Sequence, residues 1–190
     1  MRASTPNHNA MRLVAGLAYH RPKAGARLRF VDLLFVARAH RRRGHAARLL
    51  WELRQAPIEL SVRKDNAPAI ATYLALGLCA TEAPTYAPDA AHLALRTTSY
   101  LRTRAKLECK GGRGDAVGPA TAPRRAVEHR VAWDALTTAE RAFLVDGTVA
   151  TEGDDLSRAA ATRLLRGQEA PGDPPDTRMR YALLWEEEDA

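Results

Sequence analysis

Between Val36 and Ala46 the chain reads Val36-Ala37-Arg38-Ala39-His40-Arg41-Arg42-Arg43-Gly44-His45-Ala46, with Leu49 three residues on. A strand ends, a basic glycine-containing loop follows, and a helix begins. Helix N-termini present N–H groups without intrahelical partners and carry a partial positive charge, so this junction is suited to phosphate oxygens. Gly44 and Ala46 keep side-chain bulk away from backbone that a phosphate must approach. Taken alone the pattern is weak, because a basic turn ahead of a helix is usually just solvated. A second pattern follows: Leu60-Ser61-Val62 leads through Asn66, Ala69, Ile70 and Tyr73 to Gly77-Leu78.

The elements that must position these residues follow from periodicity and punctuation. Arg12–His20 and Arg27–Ala37 read as strands, the second rich in branched and aromatic residues. After the loop Ala39–Arg43, a helix runs from Gly44 to about Gln55, with Leu49, Leu50 and Leu53 on one face. Pro57 stops it and Ile58–Val62 is a short strand. Asp65 or Asn66 caps a helix to about Leu76, and Gly77 suits its end. His92–Arg96 is a further strand. Thr97–Pro123 has the glycine-rich, polar composition of a linker. Beyond it, Glu128–Trp133 reads as a strand, Asp134–Val145 and Asp155–Arg166 as helices, and Met179–Trp185 as a last strand. Alternating strands and helices argue for an α/β domain.

The two patterns resemble the GNAT superfamily of acyl-CoA-dependent N-acetyltransferases. Arg41-Arg42-Arg43-Gly44-His45-Ala46 is similar to its acyl-CoA signature, Arg/Gln-x-x-Gly-x-Gly/Ala, and Asn66 to Leu78 to its following segment, Asn-x-x-Ala-x-x-x-Tyr-x-x-x-Gly-hydrophobic. The resemblance spans about residues 11–96. It implies acetyl-CoA as co-substrate, with the backbone at Arg42–Ala46 gripping the pyrophosphate, Val36 beside the pantetheine arm and Asn66 against that arm. It also implies a neutral amine attacking the thioester carbonyl, Tyr73 as the acid that protonates the leaving thiolate, and a carboxylate on the strand before the loop as base. Asp32 is the only acid in that strand. Plainer roles remain for each: Tyr73 as one of an apolar helix face with Ile70 and Leu74, Asp32 as a structural strand residue, Asn66 as a helix cap.

The chain departs from the family at its front. The usual GNAT chain places a strand, two helices and another strand before the segment resembling Arg12–His20, where this chain has only about ten residues, read as a flexible leader. The same succession stands behind the linker. A circular permutation would reconcile the two, and it requires Met179–Trp185 to pair beside Arg12–His20. The 27-residue connection Thr97–Pro123 could reach roughly 90 Å at about 3.3 Å per residue. The expected fold is therefore a GNAT-like mixed twisted sheet flanked by helices: residues 1–96 form the acyl-CoA-binding core, 97–125 a linker, and 126–190 either complete that domain or form an appendage. Residues about 134–166 would line the acceptor pocket, where Asp154 and Asp155 could meet a cationic amine.

Charge and cysteine content bound the partners. The 190 residues carry a net charge of +7, but residues 1–96 hold 15 basic and 6 acidic residues against 14 and 16 in residues 97–190. The front half is the one that attracts anions. A polyphosphate cofactor is one such partner and nucleic acid another, although no aromatic stacking platform accompanies Arg41–Arg43. The acceptor would be a small-molecule or peptide amine. No apolar run is long enough to span a bilayer, and the two cysteines form no disulfide framework, so the expected location is the cytoplasm, with the nucleus left open. Cys79 reads as a small buried residue. His40 and His45, five apart across a loop, are poor metal geometry, and no metal is expected. A CoA-binding protein without catalysis is the remaining alternative.

Overall fold

The structure, a computed structural model, describes residues 11–85, 89–97, 125–152, 156–167 and 177–187. The leader 1–10, most of the linker and the acids Asp154 and Asp155 lie outside the described residues. In chain order the elements are strands β1 (Met11–His20) and β2 (Arg29–Val36), helix α1 (His45–Glu52), β3 (Ile58–Arg63), α2 (Ala67–Ala75), β4 (Leu78–Ala80), β5 (His92–Thr97), β6 (Arg125–Arg130), α3 (Thr138–Glu152), α4 (Arg158–Arg166) and β7 (Arg180–Glu187). They build a seven-stranded sheet of order β4-β5-β3-β2-β1-β7-β6. Among the described strands only β2 and β3 run parallel.

Strand β7 is antiparallel to β1, with Leu13 opposite Trp185, Leu17 opposite Ala182 and Tyr19 opposite Arg180. This is the pairing the rearranged chain order requires. Strand β6 then lies outside β7, so the strand–helix–helix–strand segment from Arg125 to Glu187 joins the same sheet beside β1. Its far edge carries Glu128, His129 and Arg130, charges that discourage another strand from pairing there.

The two sheet faces have separate cores, which accounts for three layers. One holds Leu49, Leu50 and Leu53 at α1, Tyr73 and Leu76 at α2, and Val31, Ile58, Leu60 and Val62 from the sheet. The other holds Leu144 and Val145 of α3, Ala161 and Leu165 of α4, and Ala18, Leu33, Tyr181 and Leu183. At eight residues α1 is too short to be stable alone. It persists because each buried leucine contributes about 1.5–3 kcal/mol.

Several boundaries differ from the sequence expectations, each for a local reason. Helix α3 begins at Thr138 rather than Asp134 because Thr137 and Glu140 form a reciprocal cap. The Glu140 amide donates to Thr137 Oγ1 at 3.3 Å and the Thr137 amide to Glu140 Oε2 at 2.6 Å. Trp133–Ala135 instead makes a single 3-10 turn. Ser157 caps α4, its Oγ accepting from the Ala160 amide. Cys79 is exposed, not buried. It lies on β4, a three-residue edge strand, where the pleat turns Leu78 inward and the next residue out.

Candidate functional site

Strands β2 and β3 are hydrogen-bonded only from Arg29–Val31 to Ile58–Leu60. Beyond these pairs β2 continues to Val36 and β3 to Arg63, and the two part. Backbone along the far half of β2 is therefore not paired with β3. The register against β1 also slips: Ala18 is opposite Leu33 but Tyr19 is opposite Val31. Asp32 is the extra residue of this bulge, and a bulge re-aims the side chain it carries.

Asp32 turns toward the end of β1, where its Oδ2 lies 2.7 Å from His20 Nδ1. Desolvation raises the Asp32 carboxyl above its ordinary value, opposed by the hydrogen bond and charge of His20. The side chain keeps 29% of its surface exposed, so the carboxylate is partly dry yet reachable. His20 was not legible as a site residue, because the bulge that brings it to Asp32 follows from strand register and not from spacing.

At the far end of β2 the chain makes a 3-10 turn, Arg38–His40, then the loop Arg41–Gly44 and helix α1. Arg41 Nε donates to the Val36 carbonyl at 3.2 Å, folding the loop back on its strand. Within this loop two residues take left-handed backbone: Arg42 at φ +66° and Gly44 at φ +82°. For Gly44 that conformation is free, and a Cβ there would meet nothing within 4 Å. Gly44 is the N-cap of α1 and makes no side-chain capping bond, and the first turn holds no acid. Arg41, Arg42, Arg43 and Gly44 are exposed and Ala46 is half-buried. The first-turn N–H groups thus meet an open, basic mouth, and the residues fit a polyphosphate.

Asn66 stands just past the end of β3 and caps α2, its Oδ1 accepting from the Ala69 amide at 3.3 Å. Val36 is half-buried and packs against the core beneath α1 and α2. Tyr73 is buried in that core, and burial pushes its phenol up to about 12, so it is fully protonated at neutral pH. Loop residues 41–46 are gathered between the end of β2 and the start of α1. Asp32 and Tyr73 have separate surroundings, His20 for one and the apolar core for the other.

A further group sits under the loop. His40 Nδ1 lies 3.2 Å from Glu186 Oε2, His45 Nε2 is 3.6 Å from the same oxygen and Arg43 Nη1 3.8 Å. Spacing along the chain did not foretell this, since Glu186 enters from β7, the neighbour of β1.

In comparison with known families, the model of the Acetyltransferase (GNAT) family matches residues 8–78, a segment of the chain. The segment contains β1, β2, the basic loop, α1, β3 and α2. Among the described residues the seven-stranded mixed sheet and four helices are consistent with a GNAT-like α/β fold, and the matched segment supports acetyltransferase activity in general. No curated protein matches the chain in sequence. Among the described residues no helix is long and apolar enough to cross a membrane.

Proposed function

From the GNAT-family segment at residues 8–78 we propose that the chain is an N-acetyltransferase that carries an acetyl group from acetyl-CoA to a primary amine of a small molecule or peptide, by direct attack in a ternary complex. The observation that carries the reading is the uncapped, acid-free N-terminus of α1, opening with Gly44 at φ +82° onto a loop of three exposed arginines. It stands where β2 parts from β3.

The co-substrate supplies an activated acyl carbonyl; this chain binds it, orients it and handles protons. Backbone N–H groups at Arg42–Ala46, with the charges of Arg41–Arg43, hold the pyrophosphate. Val36 and the unpaired half of β2 lie along the arm, and Asn66 meets it from the other wall. An amine is a nucleophile only when neutral, and Asp32 with His20 accepts its proton. A backbone N–H in the parted half of β2 is suited to the developing negative charge on the carbonyl oxygen. Tyr73 keeps its proton at neutral pH and donates toward sulfur as the carbon–sulfur bond breaks.

Calorimetric titration with acetyl-CoA, followed by thiol release across a panel of primary amines and short peptides, tests the proposal. Saturable binding and amine-dependent thiol release are expected, with Tyr73→Phe lowering turnover by about 100-fold, as removal of a general acid does. Binding without turnover for any amine would leave a CoA-binding protein lacking catalysis. Absence of binding, together with steeply salt-dependent binding to RNA or DNA, would transfer the loop to nucleic acid.

A further inference from the structure

We propose that His40, His45 and Glu186 form a site for one divalent transition ion of the zinc class, set beneath the basic loop. His40 closes the 3-10 turn, His45 opens α1 and Glu186 lies near the end of β7. Their ligand atoms all fall within 4.8 Å of one another, and among the described residues they are the one group of three such side chains found together. Zinc takes imidazole nitrogen and carboxylate oxygen at about 2.0–2.2 Å in tetrahedral array, which sets neighbouring ligand atoms about 3.3–3.5 Å apart. The two edges to Glu186 Oε2 measure 3.2 and 3.6 Å. The imidazole rings are tilted at 45° with centroids 6.2 Å apart, so neither stacks on the other.

The chemistry of the set selects the ion. Two imidazoles with one carboxylate suit zinc and its neighbours, whereas magnesium and calcium require more oxygen ligands. The side chains of His45, Glu186 and His40 are 0%, 5% and 14% exposed. Glu186 already has His40 Nδ1 within hydrogen-bond reach, and an ion held by all three groups would sit where their ligand atoms converge. Arg43 reaches the same oxygen only to 3.8 Å and is half exposed, so it can swing into the solvent. The expectation of no metal weighed two histidines across a loop; the third ligand comes from a strand distant in sequence. A bound ion would tie the basic loop and the start of α1 to β7, and would add positive charge beneath the N–H groups that face the phosphate mouth.

The test uses the full chain with any affinity tag removed and metal stripped by chelator. Co2+ is titrated and followed by its visible absorption, Zn2+ is added in competition, and thermal unfolding is recorded with and without Zn2+. One Co2+ per chain is expected, without sulfur charge-transfer absorption, displaced by stoichiometric Zn2+ and indifferent to excess Mg2+. Zn2+ should raise the unfolding midpoint. Glu186→Gln and His40→Ala should each weaken binding by about 100-fold or more, since a ligand counts for at least as much as the outer-shell partners whose loss costs 10–100-fold. Should the buried Glu186→Gln variant fail to fold, His40→Ala and His45→Gln carry the comparison, with metal-free unfolding as the check on each. The proposal is overturned if the parent shows neither Co2+ absorption nor Zn2+ stabilisation. It is equally overturned if binding persists in the folded variants, or if sulfur charge transfer shows that a cysteine is the ligand.

Discussion

Gly44→Glu separates the backbone and the ligand contributions of the basic loop. Gly44 sits at φ +82°, where a side chain is strained whatever the space around it, yet a Cβ would meet no atom within 4 Å. The cost to the ligand-free protein is therefore only the left-handed strain, about 1–2 kcal/mol. For a chain of this size that lowers the unfolding midpoint by roughly 2–8 °C. Acetyl-CoA at a hundred times its dissociation constant should add about 2.7 kcal/mol to the parent, a rise of roughly 5–11 °C. In Gly44→Glu a carboxylate stands where the proposed function puts phosphate, and the rise should vanish. Gly44→Ala shares the strain without the charge, so it should melt like Gly44→Glu alone but keep part of the response to ligand. The assay is thermal unfolding of the three proteins with and without acetyl-CoA. A ligand-induced rise in Gly44→Glu equal to that of the parent would refute the assignment of the loop to the pyrophosphate. A loss beyond about 4 kcal/mol in ligand-free Gly44→Ala, well past the strain, would refute the open space above Gly44.

Three further variants probe the packing on the two faces of the sheet. Burial raises the Tyr73 phenol from 10.0 to about 12, so the native state holds that proton more tightly than the unfolded chain does. Stability should fall as pH rises through that interval and be unaffected by this group below it, by about 1.4 kcal/mol per pH unit within the window. Urea midpoints across the alkaline range should show this slope in the parent and its loss in Tyr73→Phe; identical slopes would mean that the phenol is not buried. On the opposite face, a Cβ at Gly147 of α3 would meet the Phe35 ring and Cβ at 2.6–2.9 Å, whereas at Gly16 of β1 the closest atom is the flexible tip of Leu144. Gly147→Ala should therefore cost about 1–3 kcal/mol by overpacking despite its better helix propensity, and Gly16→Ala clearly less. Equal denaturation midpoints for the two variants would contradict the close approach of α3 to β2.

The readable parts of the chain were those where local chemistry and tertiary role coincide. The loop 41–46 could be read because an arginine run, a glycine and the start of an apolar helical stripe occupy adjacent positions. Asn66 was legible as a cap for the same reason: its oxygen binds the amide three residues on. Helix α3 was misplaced by four residues because the apolar pattern runs on through Trp133, while the reciprocal bonds of Thr137 and Glu140 decide the start. Strand β4 was missed since three residues carry no periodicity. His20 and Glu186 could not be found by spacing at all. Each meets its partner across a strand pairing whose register depends on a bulge or on a neighbour distant in sequence.

The chain order has a physical consequence for the site. Before β7 docks, β1 has an unpaired edge, and the face bearing Ala18, Leu33 and Phe35 has lost its cover, because α3 and α4 arrive in the same segment. Long apolar edges of that kind invite wrong pairing. Bringing β7 against β1 closes a loop of more than 150 residues, the type of distant contact that is entropically slow to form. The same docking delivers Glu186 to His40, Arg43 and His45. The contacts that join the basic loop to β7 can therefore form only after the last strand is in place.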